Sequence, residues 1–233
     1  MKTCVLIGGG NNTDSRLPYE NEVIDKEIVK LVNKEKPNFL FIGLASNNSD
    51  SNYDQIKKYY QQLNCHTEYL KKKNIINNPQ IVIDKINRAD IIYIGGGDTL
   101  KLLEIIKEYQ LDSMLKKAYE NGTILVGKSA GAILLSNKGF SDSYILRGEK
   151  DTYEFIDGLN FIDIIICPHY HQEEQKTTEL KQAIKDNKIE VIGLENNTAI
   201  ICQDNTIQVI KESNTNKVWK CKYNKEYEEI ELK

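Results

Sequence analysis

The chain has 233 residues, 40% of them apolar, and a formal net charge of −3 with both signs spread along its length. That length suits one globular domain spanning residues 1–233, and the lack of a basic stripe speaks against nucleic acid as a partner. No apolar run is long enough to span a bilayer, and residues 1–7 hold too short an apolar run for a secretory signal.

The cysteines, Cys4, Cys65, Cys167, Cys202 and Cys221, are scattered and lack C-x-x-C spacing, which predicts reduced, mostly buried thiols and a cytoplasmic location. The histidines are His66, His169 and His171, and no local spacing joins them to other ligands, so neither a metal nor another cofactor is expected.

In chain order, residues 3–7 read as a continuous apolar strand ending in Gly8-Gly9-Gly10-Asn11-Asn12. That loop lacks the spacing of a nucleotide-binding fingerprint and reads as a close-packed strand end. Val23, Ile24, Ile28, Leu31 and Val32 recur at helical spacing over residues 20–33, and Pro37 breaks the pattern. Residues 39–42 form a second buried strand, 54–63 an amphipathic helix, 65–70 a more polar strand nearer an edge, and 81–86 a short helix or turn. The strand at 90–94 runs into Gly95-Gly96-Gly97-Asp98-Thr99, then a helix at 100–109. Asp98 or Thr99 can cap that helix while the glycine amides stay free for an anion. A helix at 111–121 closes on Gly122.

Residues 123–126 favour a strand and enter Gly127-Lys128-Ser129-Ala130-Gly131, after which an apolar helical run begins. This is G-x-S-x-G between strand and helix. Such a turn strains the backbone at serine so that its hydroxyl stands clear, and small neighbours let strand and helix close up. The Ala130 amide then sits at a helix start, where N–H groups have no intrahelical partner and can hold an oxyanion formed by attack of Ser129. Gly97, also at a strand end, can supply a second donor. A plain Gly-Ser-Gly connection is the competing reading, and the partners of the serine decide between them.

Residues 140–151 are polar and turn-rich. The strand at 162–167 stops at Pro168-His169-Tyr170-His171, which puts His169 on a rigid stem, whereas His66 lies in a polar stretch and reads as solvated. A helix at 173–185, a strand at 190–194, the segment Glu195-Asn196-Asn197-Thr198, a hairpin of 199–203 and 206–210 around Asp204-Asn205, and a strand at 217–223 lead to a charged tail. Apolar strands alternating with helices predict an α/β fold. The expected architecture is a three-layer α/β/α, doubly wound, mostly parallel sheet with a C-terminal antiparallel hairpin and functional loops at the strands' carboxyl ends.

With Gly95-Gly96-Gly97-Asp98-Thr99, Gly127-Lys128-Ser129-Ala130-Gly131-Ala132 and Cys167-Pro168-His169-Tyr170 in this order, nearly the whole chain resembles peptidase family S51. That is the group of dipeptidase E (aspartyl dipeptidase) and cyanophycinase, on a fold like the class I glutamine amidotransferases. The resemblance implies a serine peptidase acting on small peptides, as a monomer or homodimer. Ser129 would be the nucleophile, His169 the general base with His171 as its rival, and Gly97 and Ala130 the oxyanion-hole amides. Gly96, Asp98, Thr99, His171 and Lys176 would line the substrate. The third triad member stays open among Asn196, at the family's acidic position, Glu195 one residue earlier, and Asp142 after the elbow helix. Residues 172–181 hold no arginine for an aspartyl side chain, and Lys176 cannot reproduce a bidentate grip, so Asp-X specificity is not carried over. Two other readings stand beside this one. The first is a catalytically idle scaffold that binds or regulates. The second is an α/β-hydrolase esterase, for which too little chain separates Ser129 from His169.

Overall fold

The computed structural model describes residues 2–10, 19–47, 49–204 and 206–233. Asn11 and Asn12 of the glycine loop and Asn205 of the hairpin turn lie outside them. Thr3–Ile7 (β1) is buried along its whole length, as a strand covered on both faces must be. Then follow α1 (Glu22–Lys30), β2 (Asn38–Ile42), α2 (Ser49–Gln62), β3 (His66–Leu70), α3 (Lys72–Asn77), α4 (Pro79–Arg88), β4 (Ile91–Ile94), α5 (Thr99–Glu108) and α6 (Leu111–Glu120). The central pair is β5 (Ile124–Lys128) and α7 (Ala130–Leu135). Beyond it come β6 (Ser136–Ser141), α8 (Ser143–Leu146), β7 (Glu154–Asp157), β8 (Ile162–Pro168), α9 (Glu174–Asn187), β9 (Val191–Leu194), β10 (Thr198–Gln203), β11 (Thr206–Lys211), β12 (Val218–Asn224) and β13 (Glu226–Leu232).

The first sheet runs β11-β10-β1-β5-β4-β2-β3. Strands β1 to β5 in it are parallel, and β10 and β11 return antiparallel at one edge, the expected hairpin. Its side chains divide by parity. Val5, Phe39, Phe41, Tyr93 and Val126 pack with Ile24 and Ile28 of α1 and Ile56 and Tyr60 of α2. Leu6, Leu40, Ile42, Ile92, Ile94 and Leu125 face the layer of α4, α5, α6 and α7. The α/β class and the mostly parallel central sheet agree with the sequence reading.

Beyond α7 the layout differs from a single wound sheet. The later strands form a second mixed sheet, β13-β12-β9-β8-β6-β7. Ile156, Ile166, Ile192 and Val218 of this sheet share the core of α7, so that helix lies between the two sheets. The outer face of the second sheet buries Leu180 and Ile184 of α9 together with Phe140, Tyr170 and Cys221. Residues 140–151, read as turns, hold the end of β6 and α8, while α3, β7 and β13 are further elements. The segment at 81–86 is the middle of α4, whose first turn is set by Pro79 and capped by Asn78, its side chain accepting from the Ile81 N–H at 3.2 Å. All five cysteines are free and buried.

Candidate active site

The site forms where β1, β4 and β5 end side by side. Ser129 has φ 53° and ψ −110°, a backbone outside the ordinary wells, between the last residue of β5 and the first of α7. Glycines make the close approach possible. A Cβ on Gly127 would lie 2.2 Å from the Gly131 carbonyl oxygen, and one on Gly131 would lie 2.2 Å from the Ile94 carbonyl oxygen. The Ser129 N–H donates to the Ile7 carbonyl at 3.0 Å, which ties the turn to the end of β1.

His169 stands on the opposite wall, at the end of β8 and after Pro168. Its φ is 54°, a left-handed conformation that a non-glycine residue holds only when its surroundings fix it. Here the His169 N–H donates to the Gly8 carbonyl at 3.0 Å. The ring then makes two bonds. Nε2 lies 2.8 Å from Ser129 Oγ, and Nδ1 lies 2.7 Å from Asn196 Oδ1. An amide oxygen only accepts, so Nδ1 carries the proton and the neutral ring presents a bare Nε2 to the serine hydroxyl. Gly9 lies beneath this pair, where a Cβ would come within 2.3 Å of both Asn196 Oδ1 and His169 Cε1. The glycine loop after β1 is thus a close-packed strand end, and it is a support of the site that the sequence reading did not include.

Burial, together with the nearby Lys176 ammonium, pushes the His169 pKa down to about 4, against the opposite pull of the Asn196 hydrogen bond and of Asp142. Lys128, next to the serine, donates from Nζ to the Gly10 carbonyl at 3.0 Å, and burial lowers its pKa to about 8 despite Asp25 and Glu20. Gly97 belongs to the loop that passes beside Ser129. Its φ is +136°, and a Cβ there would meet the Ala45 carbonyl oxygen at 2.4 Å. Neighbouring Gly96 passes so close that a Cβ would be 3.2 Å from Ser129 Cβ. Ala130 is the first residue of α7, directly after the serine, and Gly97 follows the glycine that passes closest to it.

Several sequence candidates are placed elsewhere. Glu195 does not reach His169. Its carboxylate accepts from Trp219 Nε1 at 2.8 Å and the Lys217 N–H at 2.9 Å, and lies 3.2 Å from His171 Nδ1. Asp142 sits at the start of α8 and acts on His169 only through space. His171, the rival base, stacks on Tyr170 and lies between Glu195 and Glu229, away from the serine. Lys176 is buried rather than facing a substrate. Its Nζ donates to the Pro168 carbonyl at 2.6 Å and lies over the Tyr153 ring. Asp98 caps α5 through the Leu100 and Lys101 amides and pairs with Arg147 at 2.8 Å. Burial opposes ionisation of Asp98, yet the Arg147 hydrogen bond and the helix amide outweigh it and hold the carboxyl below its ordinary value. Thr99 is buried against Ser141 and Ser143. Asp98 and Thr99 therefore brace the glycine loop from behind, their polar groups engaged by the α5 amides, Arg147, Ser141 and Ser143. Among the described residues, no helix is long and apolar enough to cross a membrane, and no group of three or more His, Cys, Asp or Glu could hold a metal ion.

Comparison with known proteins bears on this geometry. The chain is 29% identical over 187 residues to the uncharacterized peptidase YgaJ of Bacillus subtilis, covering 80% of this chain and 76% of that one. It is 29% identical over 135 residues to peptidase E of a Nostoc species, covering 54% of each. The chain thus spans three quarters of the first relative but only about half of the second. The fold matches the crystal structure of a peptidase from an acI-B1 actinobacterium with a TM-score of 0.72 at 23% identity, covering 99% of this chain and 93% of that one. The family description for peptidase family S51 matches residues 4–210, a stretch that contains the strained serine turn, His169 and Asn196. By that match the chain belongs to peptidase family S51, a family of serine-type peptidases.

Proposed function

We propose that the chain hydrolyses small peptides in the manner of a dipeptidase, with Ser129 as nucleophile on a nucleophile elbow and His169 as base. The observation that carries this is the unbroken relay Ser129 Oγ, His169 Nε2, His169 Nδ1, Asn196 Oδ1, with links of 2.8 and 2.7 Å. Its polarity follows from the amide oxygen at the far end. Ser129 Oγ attacks the scissile carbonyl carbon while Nε2 takes the hydroxyl proton. The oxyanion is received by the Gly97 and Ala130 amides. The C–N bond then breaks, Nε2 returns its proton to the leaving amine, and an acyl ester remains on Ser129. Water, deprotonated by the same nitrogen, hydrolyses that ester and restores the serine.

Asn196 is the third member on this reading. It orients the ring and fixes its tautomer without supplying a negative charge. Its neutrality is what favours the idle-scaffold alternative, and one experiment separates the two. A fluorophosphonate probe is expected to label Ser129, and Ser129→Ala to lose both the label and hydrolysis across a dipeptide panel. A folded wild-type protein that takes no label and cleaves no peptide would leave only the scaffold.

A further inference from the structure

The family match ends at residue 210, so β12 and β13 lie beyond it. These strands nevertheless reach both loops of the site. The first loop follows β9 and carries Asn196. β12 pairs antiparallel with β9, placing Val218 opposite Leu194. From there the Glu195 N–H donates to the Lys217 carbonyl at 3.3 Å, the Lys217 N–H returns to Glu195 Oε2 at 2.9 Å, and Trp219 Nε1 donates to Glu195 Oε1 at 2.8 Å. The residue next to Asn196 is thus held on three bonds by the start of β12.

The second loop follows β8 and carries His169. Tyr170, the next residue, is fully buried, and its ring packs so tightly on Gly193 that a Cβ there would sit 2.6 Å from Tyr170 Cδ1. Its hydroxyl donates to Glu229 Oε1 of β13 and lies 2.8 Å from the Tyr227 hydroxyl. The same carboxylate oxygen receives Tyr227 at 3.1 Å, and His171 Nε2 and Lys181 Nζ lie 3.4 and 3.7 Å from it. His169 and His171 have φ 54° and 62°, two left-handed residues astride Tyr170. Such a loop relaxes unless its neighbours over-determine it. Its middle residue is held by the Tyr170 N–H on the Leu194 carbonyl at 3.0 Å, by Gly193 under the ring and, at the hydroxyl, by Glu229.

We propose that Glu229 is a positioning residue of the catalytic histidine, acting through Tyr170 and His171 from a strand outside the family match. This rests on the serine-peptidase reading for its effect on rate, but not for its effect on the histidine itself. Two measurements separate the two. The first is the rate of fluorophosphonate labelling, which depends on the Ser129–His169 geometry and not on peptide affinity. Glu229→Ala is expected to slow it at least tenfold. Glu229→Gln, whose amide oxygen still accepts from Tyr170, should recover most of that loss. Glu228→Gln, which breaks only the surface pair with Lys222 at 3.2 Å on the same hairpin, should label like wild type. The second is a proton NMR titration of the histidine rings, of which the chain has only three. In Glu229→Ala the ring that titrates near 4 should move up toward the ordinary histidine range as its loop loosens and admits water. Unchanged labelling and an unmoved ring titration in Glu229→Ala would overturn the proposal. A wild type that takes no label while the ring titration still moves would overturn the peptidase reading and leave the positioning role standing.

Discussion

At the scale of single residues, the acidity of the site follows from burial and from one missing charge. On the proposed mechanism His169 can act as a base only while neutral, and its depressed pKa of about 4 keeps it so across the neutral range. Hydrolysis should therefore rise as pH climbs through about 4 and level off above it. A carboxylate in hydrogen-bond contact favours imidazolium by about 1–3 pKa units. Asn196→Asp is thus expected to move that acid limb upward by such an amount, and pH–rate profiles of the two forms check it; a limb that stays in place would exclude Asn196 as the ring's partner. A second buried group gives a stability test. Asp25 of α1 accepts from Tyr60 at 2.8 Å and from Tyr19, and burial raises its pKa from 3.8 to about 7, against the pull of those hydrogen bonds and Lys128. Between those values the folded chain binds the proton and the unfolded chain does not, so this group's contribution is present at low pH and lost as pH rises through about 7. Asp25→Asn should therefore cost more stability at pH 5 than at pH 8, by a difference on the order of 2–4 kcal/mol, read by urea denaturation at the two pH values.

At the scale of elements, the strands that touch the site were the most legible. β1, β2, β4 and β5 are apolar on both faces and end in glycine or the serine turn, so composition and punctuation agree. The His169 stem was legible from Pro168. The misses have a common cause, which is that pairing partners rather than local composition make the element. β6 reads Ser-Asn-Lys-Gly-Phe-Ser, a weak strand alone, and is held by parallel pairing with β8 and antiparallel pairing with β7. β13 reads Glu-Tyr-Glu-Glu-Ile-Glu-Leu and resembles a solvated tail. Its charges are met by lysines, Glu228 by Lys222 across the β12–β13 ladder and Glu231 by Lys211 of β11 in the other sheet, partners that local composition does not show. Which carboxylate or amide would meet His169 was not legible, because a one-residue difference between Glu195 and Asn196 is decided by Trp219, far along the chain. The strand–turn–helix unit can itself be tested. Gly127→Ala forces a Cβ to 2.2 Å from a backbone oxygen that has no flexible end to yield. It should cost at least about 1–3 kcal/mol in chemical denaturation and abolish labelling of Ser129. Gly122→Ala, where the added methyl meets nothing within 4 Å, should affect stability through its φ of +93° alone and leave labelling intact.

At the scale of the whole molecule, α7 is the element both sheets share. Its Leu134 is fully buried within the core that also holds Ile166 and Ile192 of the second sheet and Leu6 and Leu125 of the first. Leu134→Ala is expected to cost about 2–5 kcal/mol. Trp219, the sole tryptophan, reports on the second sheet, while far-ultraviolet circular dichroism reports on the backbone throughout. Because α7 fills the space between the layers, both signals should shift to the same lower midpoint; separated midpoints would mean that the two sheets unfold independently.

The end of β1 is where the site's pieces meet. Ile7 and Gly8 take the amides of Ser129 and His169, and Gly9 takes that of Asn197. The end of β1 is thus completed by partners roughly 120 to 190 positions later in the chain. Until those later segments are made, Ser129 has neither the His169 ring nor the Asn196 amide beyond it. On the proposed mechanism, a chain folded only as far as β5 would hold the serine turn without the ring and amide it needs, so activity would wait for the segments that carry His169 and Asn196.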